Sequence, residues 1–252
     1  MAERASPENG LRVVAWNCAR AFRKKTHKVL ALEPDIVVVP ECEDPATCKT
    51  QGWLSDFPVW RWFGDNKHQG VGLFSCGEIQ ISECDWYDPE IKFIKPYAIK
   101  GFGFEITIIP IWANNASEPK VRYVGQIWKF LEKYGQNLAG CDVLLLGDLN
   151  SNAIWDKKYR LGNHSDVVRV LQQMGIESLY HSFYKVEHGA EPEPTFYLYR
   201  QSERNYHLDY IFASQHLRQQ LRHVQIGTYD EWIEWSDHCP IICTFDTVGF
   251  LP

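Results

Sequence analysis

The chain has 252 residues, of which 45% are hydrophobic and 14% aromatic, and a formal net charge of -6. That length fits one large α/β domain with a sizeable core, and a charged fraction of 23% gives no reason to expect disorder. The acidic balance argues against a nonspecific nucleic-acid coat held by charge alone, but not against an enzyme in which a cation meets a phosphate.

Residues 1–10 read as a flexible polar tail and 11–252 as a single domain. Leu11–Ala15 is a short apolar run, the pattern of a buried strand. Lys24–Leu32 has helical composition and stops at Glu33-Pro34, because proline disfavours a helical residue before it. Asp35–Val39 and Val71–Ser75 read as further strands. Phe102–Trp112 is another, with Pro110 suggesting a bulge or a strand end. Ser117 is the expected N-cap of a helix with Val121, Val124, Ile127, Trp128 and Leu131 at helical spacing. Gly140 breaks the pattern, and Val143–Leu146 follows as a core strand. Ser165 is the expected cap of a second helix, with Val167, Val170, Leu171 and Met174 as its stripe and Gly175 as its stop. From Thr195 onward the chain reads as β: Thr195–Tyr199, His207–Ala213, His223–Thr228 and Cys239–Phe245.

The eight cysteines include no CxxC pair, so neither a cysteine zinc site nor a disulfide framework is expected, and the thiols read as reduced and mostly buried. MAERASPENG has no apolar stretch of the kind that opens a secretory signal. The apolar runs fall short of the roughly 20 residues that span a bilayer. A cytoplasmic monomer without a membrane anchor is expected.

The polar residues near strand ends carry the functional reading. Asn17 follows the first strand, Glu41 the second, and Asp148 and Asn150 the Val143–Leu146 run. Asp237 and His238 precede the last strand. Alternation puts His207, Asp209 and Ile211 on one strand face. Each has a bland alternative: Glu41 as a loop start, Gly147-Asp148 as a turn, His238 as a core histidine. Together they are hard to dismiss, because a carboxylate beside an apolar strand is costly unless it is solvated, hydrogen-bonded or metal-bound. The set suits phosphodiester hydrolysis. Glu41 and Asp237 are expected to hold a hard cation with Asn17 nearby. Asp148 is the expected acceptor for the attacking water, and Asn150 a phosphate or positioning amide. His238, oriented by Asp209, is the expected donor to a phosphoryl oxygen.

The order N … E … GDLN … LDYIFAS … SDHCPI resembles the endonuclease/exonuclease/phosphatase superfamily from Leu11 to about Phe245, closest in wording to its exonuclease III-type DNA nucleases. The resemblance implies a four-layered α/β sandwich of two packed, mostly antiparallel sheets flanked by helices, with the site at one edge. It implies magnesium or manganese and a DNA substrate, and it puts Asn17, Glu41, Asp148, Asn150, Asp209, Asp237 and His238 at functional positions. Departures concern the substrate. Ala19 stands where abasic endonucleases often carry Asp or Gly, and PIWANN puts Trp112 where relatives carry tyrosine or histidine. An indole donates one hydrogen bond but forms no phenolate-like anion. Trp112, Asn114 and Asn115 are therefore candidate substrate contacts only. TFYLYR at Thr195–Arg200 partly resembles the damage-recognition stretch of the abasic endonucleases.

Trp16, Trp155 and Trp235 flank the motifs and could stack on bases, or simply pack. Lys157, Lys158, Arg160, Arg200 and Arg204 are candidate DNA-backbone contacts or solvated surface. A phosphatase or phosphodiesterase acting on small-molecule, lipid or RNA phosphate esters is the alternative enzyme. A binding module without catalysis is the reading from another class, and it has no use for Glu41, Asp148 and His238 together.

Overall fold

The computed structural model describes residues 10–77, 79–101, 104–115, 122–158 and 161–246. In chain order, β1 (Leu11–Ala15) is followed by a 3-10 turn at Phe22–Lys24 and α1 (Thr26–Leu30). The expected Lys24–Leu32 helix is thus split and shorter than its composition suggests. Then come β2 (Ile36–Cys42), β3 (Val59–Asn66), β4 (Gln69–Ser75), β5 (Gln80–Glu83), β6 (Tyr97–Gly101) and β7 (Phe104–Trp112). Next are α2 (Val124–Leu138), β8 (Val143–Asp148), α3 (His164–Gln173), β9 (Glu177–Ser178), α4 (Leu179–Tyr184) and β10 (Phe196–Tyr197). Last are β11 (Asn205–Tyr206), β12 (Asp209–Ala213), α5 (Gln215–Gln219), β13 (Leu221–Ile226), α6 (Tyr229–Trp232) and β14 (Ile241–Phe245).

Two six-stranded sheets form the centre, ordered β13-β14-β1-β2-β4-β3 and β5-β6-β7-β8-β12-β9. Each is antiparallel except for one parallel pair, β1 with β2 and β7 with β8. The expected sandwich of packed, mostly antiparallel sheets with flanking helices is the fold observed. Alternation along β8 explains the layering. Leu144 and Leu146 join the core that also holds Val13, Ala15, Val37 and Val39 of the first sheet. Val143 and Leu145 join a second core with Ile127, Phe130 and Leu131 of α2 and Val167 and Leu171 of α3. No helix of the described residues is long and apolar enough to cross a membrane.

Several local expectations change. Pro110 neither ends β7 nor bulges it. Thr107 and Ala113 donate toward the β8 side and Trp112 donates the other way, to Phe93 O. Pro110 faces that other side, beyond the last β6 partner at Tyr97–Ile108, so its missing N–H breaks no ladder bond. The cap of α3 is Asn163, whose side chain accepts from Asp166 N, so Ser165 lies inside the first turn. Thr195–Tyr199 gives only the two-residue β10 before a 3-10 turn, because Tyr199 takes φ 56°. Ser117, Val121 and Arg160 lie outside the described residues. All eight cysteines are free; Cys18, Cys42, Cys239 and Cys243 are buried and Cys141 is exposed.

Candidate active site

Register brings the polar strand ends together. β1 and β2 run parallel in one sheet and β7 and β8 in the other. Asp148, the last residue of β8, pairs with Asp209, the first of antiparallel β12. Ala15, at the end of β1, pairs with Ile241 at the start of β14, so Asn17 lies across from the segment carrying Asp237 and His238. The seam between those two segments is tied by Trp16 Nε1 donating to His238 O (2.9 Å) and by Ser236 Oγ donating to Asn17 O (2.8 Å). Trp16 is fully buried against Trp232 and is therefore packing, not a stacking platform.

Asn17 is the hub. Its Nδ2 donates to Asp148 Oδ2 (2.9 Å) and Glu41 Oε1 (3.2 Å) and lies 3.5 Å from His238 Nε2. Its Oδ1 accepts from Ala19 N at 3.0 Å. Glu41 sits where the β2–β4 register shifts between Pro40 and Cys42, in the left-handed region at φ 60°. Its other oxygen accepts from Gln69 Nε2 at 2.8 Å. Asn150 is also left-handed, at φ 46°. It donates from its backbone N to Asp148 Oδ1 (2.8 Å) and from Nδ2 to Asp148 Oδ2 and Ala113 O, both at 2.9 Å. Non-glycine residues pay roughly 1–3 kcal/mol for such backbone, which persists where surrounding contacts fix it.

Asp209 and His238 form a buried pair, Oδ2 to Nδ1 at 2.8 Å, and His238 Nε2 points toward Asp148 Oδ2 at 3.9 Å. Thr195 supports Asp209: its Oγ1 accepts from the backbone N of Leu208 and of Asp209. Burial works against an imidazolium at His238, yet the charges of Asp209 and Asp148 and the Asp209 hydrogen bond outweigh it and raise its pKa to about 10. Burial, reinforced by Asp209, pushes the Asp148 carboxyl up to about 7 against the pull of His238. Asp237 is half-buried, and its backbone carbonyl accepts from Tyr197 N at 2.8 Å.

Oxygen donors dominate the cluster. Asp209 Oδ1 is buried without a hydrogen-bond partner, and no lysine or arginine among the described residues forms an ion pair with Glu41, Asp148, Asp209 or Asp237. Such a set fits a hard divalent cation.

The candidate substrate residues do not gather equally. Trp112 is only 7% exposed, with its ring 4.7 Å from Phe93 in the inter-sheet core. Asn114 accepts from Gln126 Nε2 through both its backbone O and its Oδ1, while Asn115 is exposed. A cleft of about 430 Å³ beside Asn150 is lined by Asn152, Trp155, Phe196, Leu198 and Tyr206 among others. Trp155 lies 5.0 Å from Tyr206 and is 48% exposed, whereas Trp235 meets His27 edge-on. Phe196, 4.7 Å from the His238 ring, joins the cleft to the site. Ser236 opens the SDHCPI motif but was not singled out in the sequence, and Thr195 and Gln69 carry no signature there, because their roles arise from contacts with Asp209 N and Glu41 that only the fold makes.

A profile of the Endonuclease/Exonuclease/phosphatase family matches residues 14–238. Among solved structures, the chain is similar to a 3′-5′ exonuclease from Neisseria meningitidis, with TM-score 0.68, 17% identity and coverage of 94% of this chain and 100% of that one. It is similar to an AP endonuclease from Archaeoglobus fulgidus, with TM-score 0.68, 18% identity and coverage of 94% and 99%. It is also similar to a 3′ phosphatase from Neisseria bound to product DNA hairpin, with TM-score 0.66, 17% identity and coverage of 94% and 99%. No curated protein matches it in sequence.

Proposed function

The chain belongs to the endonuclease/exonuclease/phosphatase family of hydrolases, and from that premise we propose that it is a magnesium- or manganese-dependent DNA nuclease of exonuclease III type. The observation that carries this reading is the buried Asp209–His238 pair aimed at Asp148, with Asn17 joining Asp148 to Glu41. Asp148, with its pKa near neutrality, accepts the proton of the attacking water. Asn150 fixes the orientation of that carboxylate through two donated hydrogen bonds. His238, held cationic by its carboxylate neighbours, donates from Nε2 to a phosphoryl oxygen as charge builds there. Asp209 fixes the ring by accepting from Nδ1. Glu41 and Asp237 would hold the cation, which when bound screens the phosphate charge and acidifies water.

DNA fits the cleft beside Asn150. Phe196, Trp155 and Tyr206 offer ring faces there, and stacking on a base is worth about 1–3 kcal/mol. The likeness to an exonuclease, an AP endonuclease and a 3′ phosphatase bound to a DNA hairpin supports the same substrate class. The test is incubation with magnesium or manganese and end-labelled single-stranded, blunt, 3′-recessed and abasic DNAs. Metal-dependent cleavage of at least one is expected, and the product ladder separates endo from exo action. A folded protein that cuts none of them would overturn the DNA reading in favour of RNA, small-molecule or lipid phosphate esters.

A further inference from the structure

Four of the nine histidines gather on the face of β12 opposite Asp209, among them His207, which alternation puts with Asp209 but which precedes the strand and turns toward Tyr210 instead. His164, His181 and His188 pack within about 6 Å of the Tyr210 ring, and His207 lies 4.9 Å from it. Phosphodiester cleavage as derived above uses none of them. Their arrangement is built rather than incidental. His181 Nδ1 meets Ser178 Oγ at 2.7 Å and its Nε2 meets Glu191 Oε1 at 2.9 Å. His164 Nδ1 meets Ser151 Oγ at 2.8 Å and its Nε2 meets His188 Nδ1 at 3.0 Å. The rings of His181 and His188 stack 3.5 Å apart.

Glu191 makes this cluster more than packing. Its side chain is 4% exposed, and no lysine or arginine among the described residues pairs with it. His181 Nε2, Gly189 N and Asn152 Nδ2 all meet its oxygens. A buried carboxylate beside imidazoles is the kind of group that is either paired or coordinates a metal. The imidazoles offer ring nitrogens as lone-pair donors, His164 and His207 from buried positions and His188 from a half-buried one. His207 adds a buried Nε2 with no hydrogen-bond partner. One ligand atom each from His181, His188 and Glu191 lies within 4.8 Å of the others.

We propose that His181, His188 and Glu191 form a second cation site, selective for zinc and separate from the catalytic carboxylates. Two imidazoles and one carboxylate suit zinc, whereas magnesium prefers an all-oxygen shell. An imidazole nitrogen binds along its ring plane, so His188 turns off the stack as it closes on the ion. His164, already touching His188, is the next donor in reach. Zinc here clips the loop carrying His188 and Glu191 to α4, which carries His181. Through the Glu191–Asn152 contact of 3.1 Å it braces the segment that follows Asp148 and Asn150.

The test uses the full chain, stripped with chelator and titrated with zinc in millimolar magnesium by calorimetry, with cobalt absorption as a second readout. One zinc per chain is expected in the wild type and in Asp148→Asn. His188→Ala and Glu191→Gln are each expected to bind at least tenfold more weakly, and zinc should raise the unfolding temperature of the wild type but not of these variants. His188→Ala, at a half-buried position, keeps the test sound if Glu191→Gln fails to fold. Absence of magnesium-resistant zinc binding in the wild type, or undiminished affinity in His188→Ala, would overturn the proposal. No readout depends on nuclease activity, so failure here leaves the catalytic reading untouched.

Discussion

At the scale of single residues, His238 owes its charge to geometry. Its Nδ1 is bound to Asp209 and its Nε2 faces Asp148, both carboxylates being fully buried. Asp209→Asn keeps the shape and removes one anion, so the imidazolium loses its principal support. Turnover is expected to fall about 10²–10⁴-fold, the share that general acid–base catalysis by a positioned side chain contributes, with the unfolding temperature little changed. Steady-state kinetics beside a thermal melt check this, and wild-type turnover in Asp209→Asn would remove the positioning role. The seven candidate residues were legible because each is a polar group abutting an apolar run. Trp112 was legible as an oddity but not as to use: its burial beside Phe93 depends on a partner 19 positions away by numbering. Thr195 was missed because its hydroxyl acts on backbone N–H groups, a role that leaves no pattern in the chain.

Among the elements, β8 sets the position of Asp148, and Gly147 sets the close approach of β8 to β7. Gly147 has φ 134°, and a Cβ there would lie 2.0 Å from Ile111 O. Gly147→Ala therefore combines a disfavoured backbone with a backbone clash, and a loss of about 2–5 kcal/mol is expected. Chemical denaturation measures it; a loss below about 0.5 kcal/mol, the range of ordinary surface changes, would contradict the account. Strands that are unbroken apolar runs, such as Ile36–Val39 and Val143–Leu146, were readable. β3, with the sequence VWRWFGDN, was not, because its pattern is aromatic and mixed and its pairing with β4 decides its state. β5 (QISE) and β6 (YAIKG) were missed because they are short and mixed, and their pairing with each other and with β7 decides their state. The histidine cluster was invisible too, because residues 164, 181, 188 and 207 follow no metal-ligand spacing and only α3, α4 and β12 bring them together.

Across the whole molecule, two sheets with matching centres place one parallel pair each at the same edge, and the acidic groups collect where those strands end. The sandwich was legible only through the motif order, since periodicity cannot say which strands pair. A net charge of -6 leaves the bound cation as the main attraction for a phosphate, so chelation is expected to abolish turnover reversibly. The direct test compares wild type and Asp148→Asn on the same labelled DNA, with magnesium and then with chelator, while fluorescence anisotropy follows binding. Turnover is expected to fall about 10²–10⁴-fold in Asp148→Asn with DNA binding retained, and wild-type turnover is expected to vanish in chelator. Undiminished cleavage by Asp148→Asn, or by wild type without metal, would contradict this mechanism.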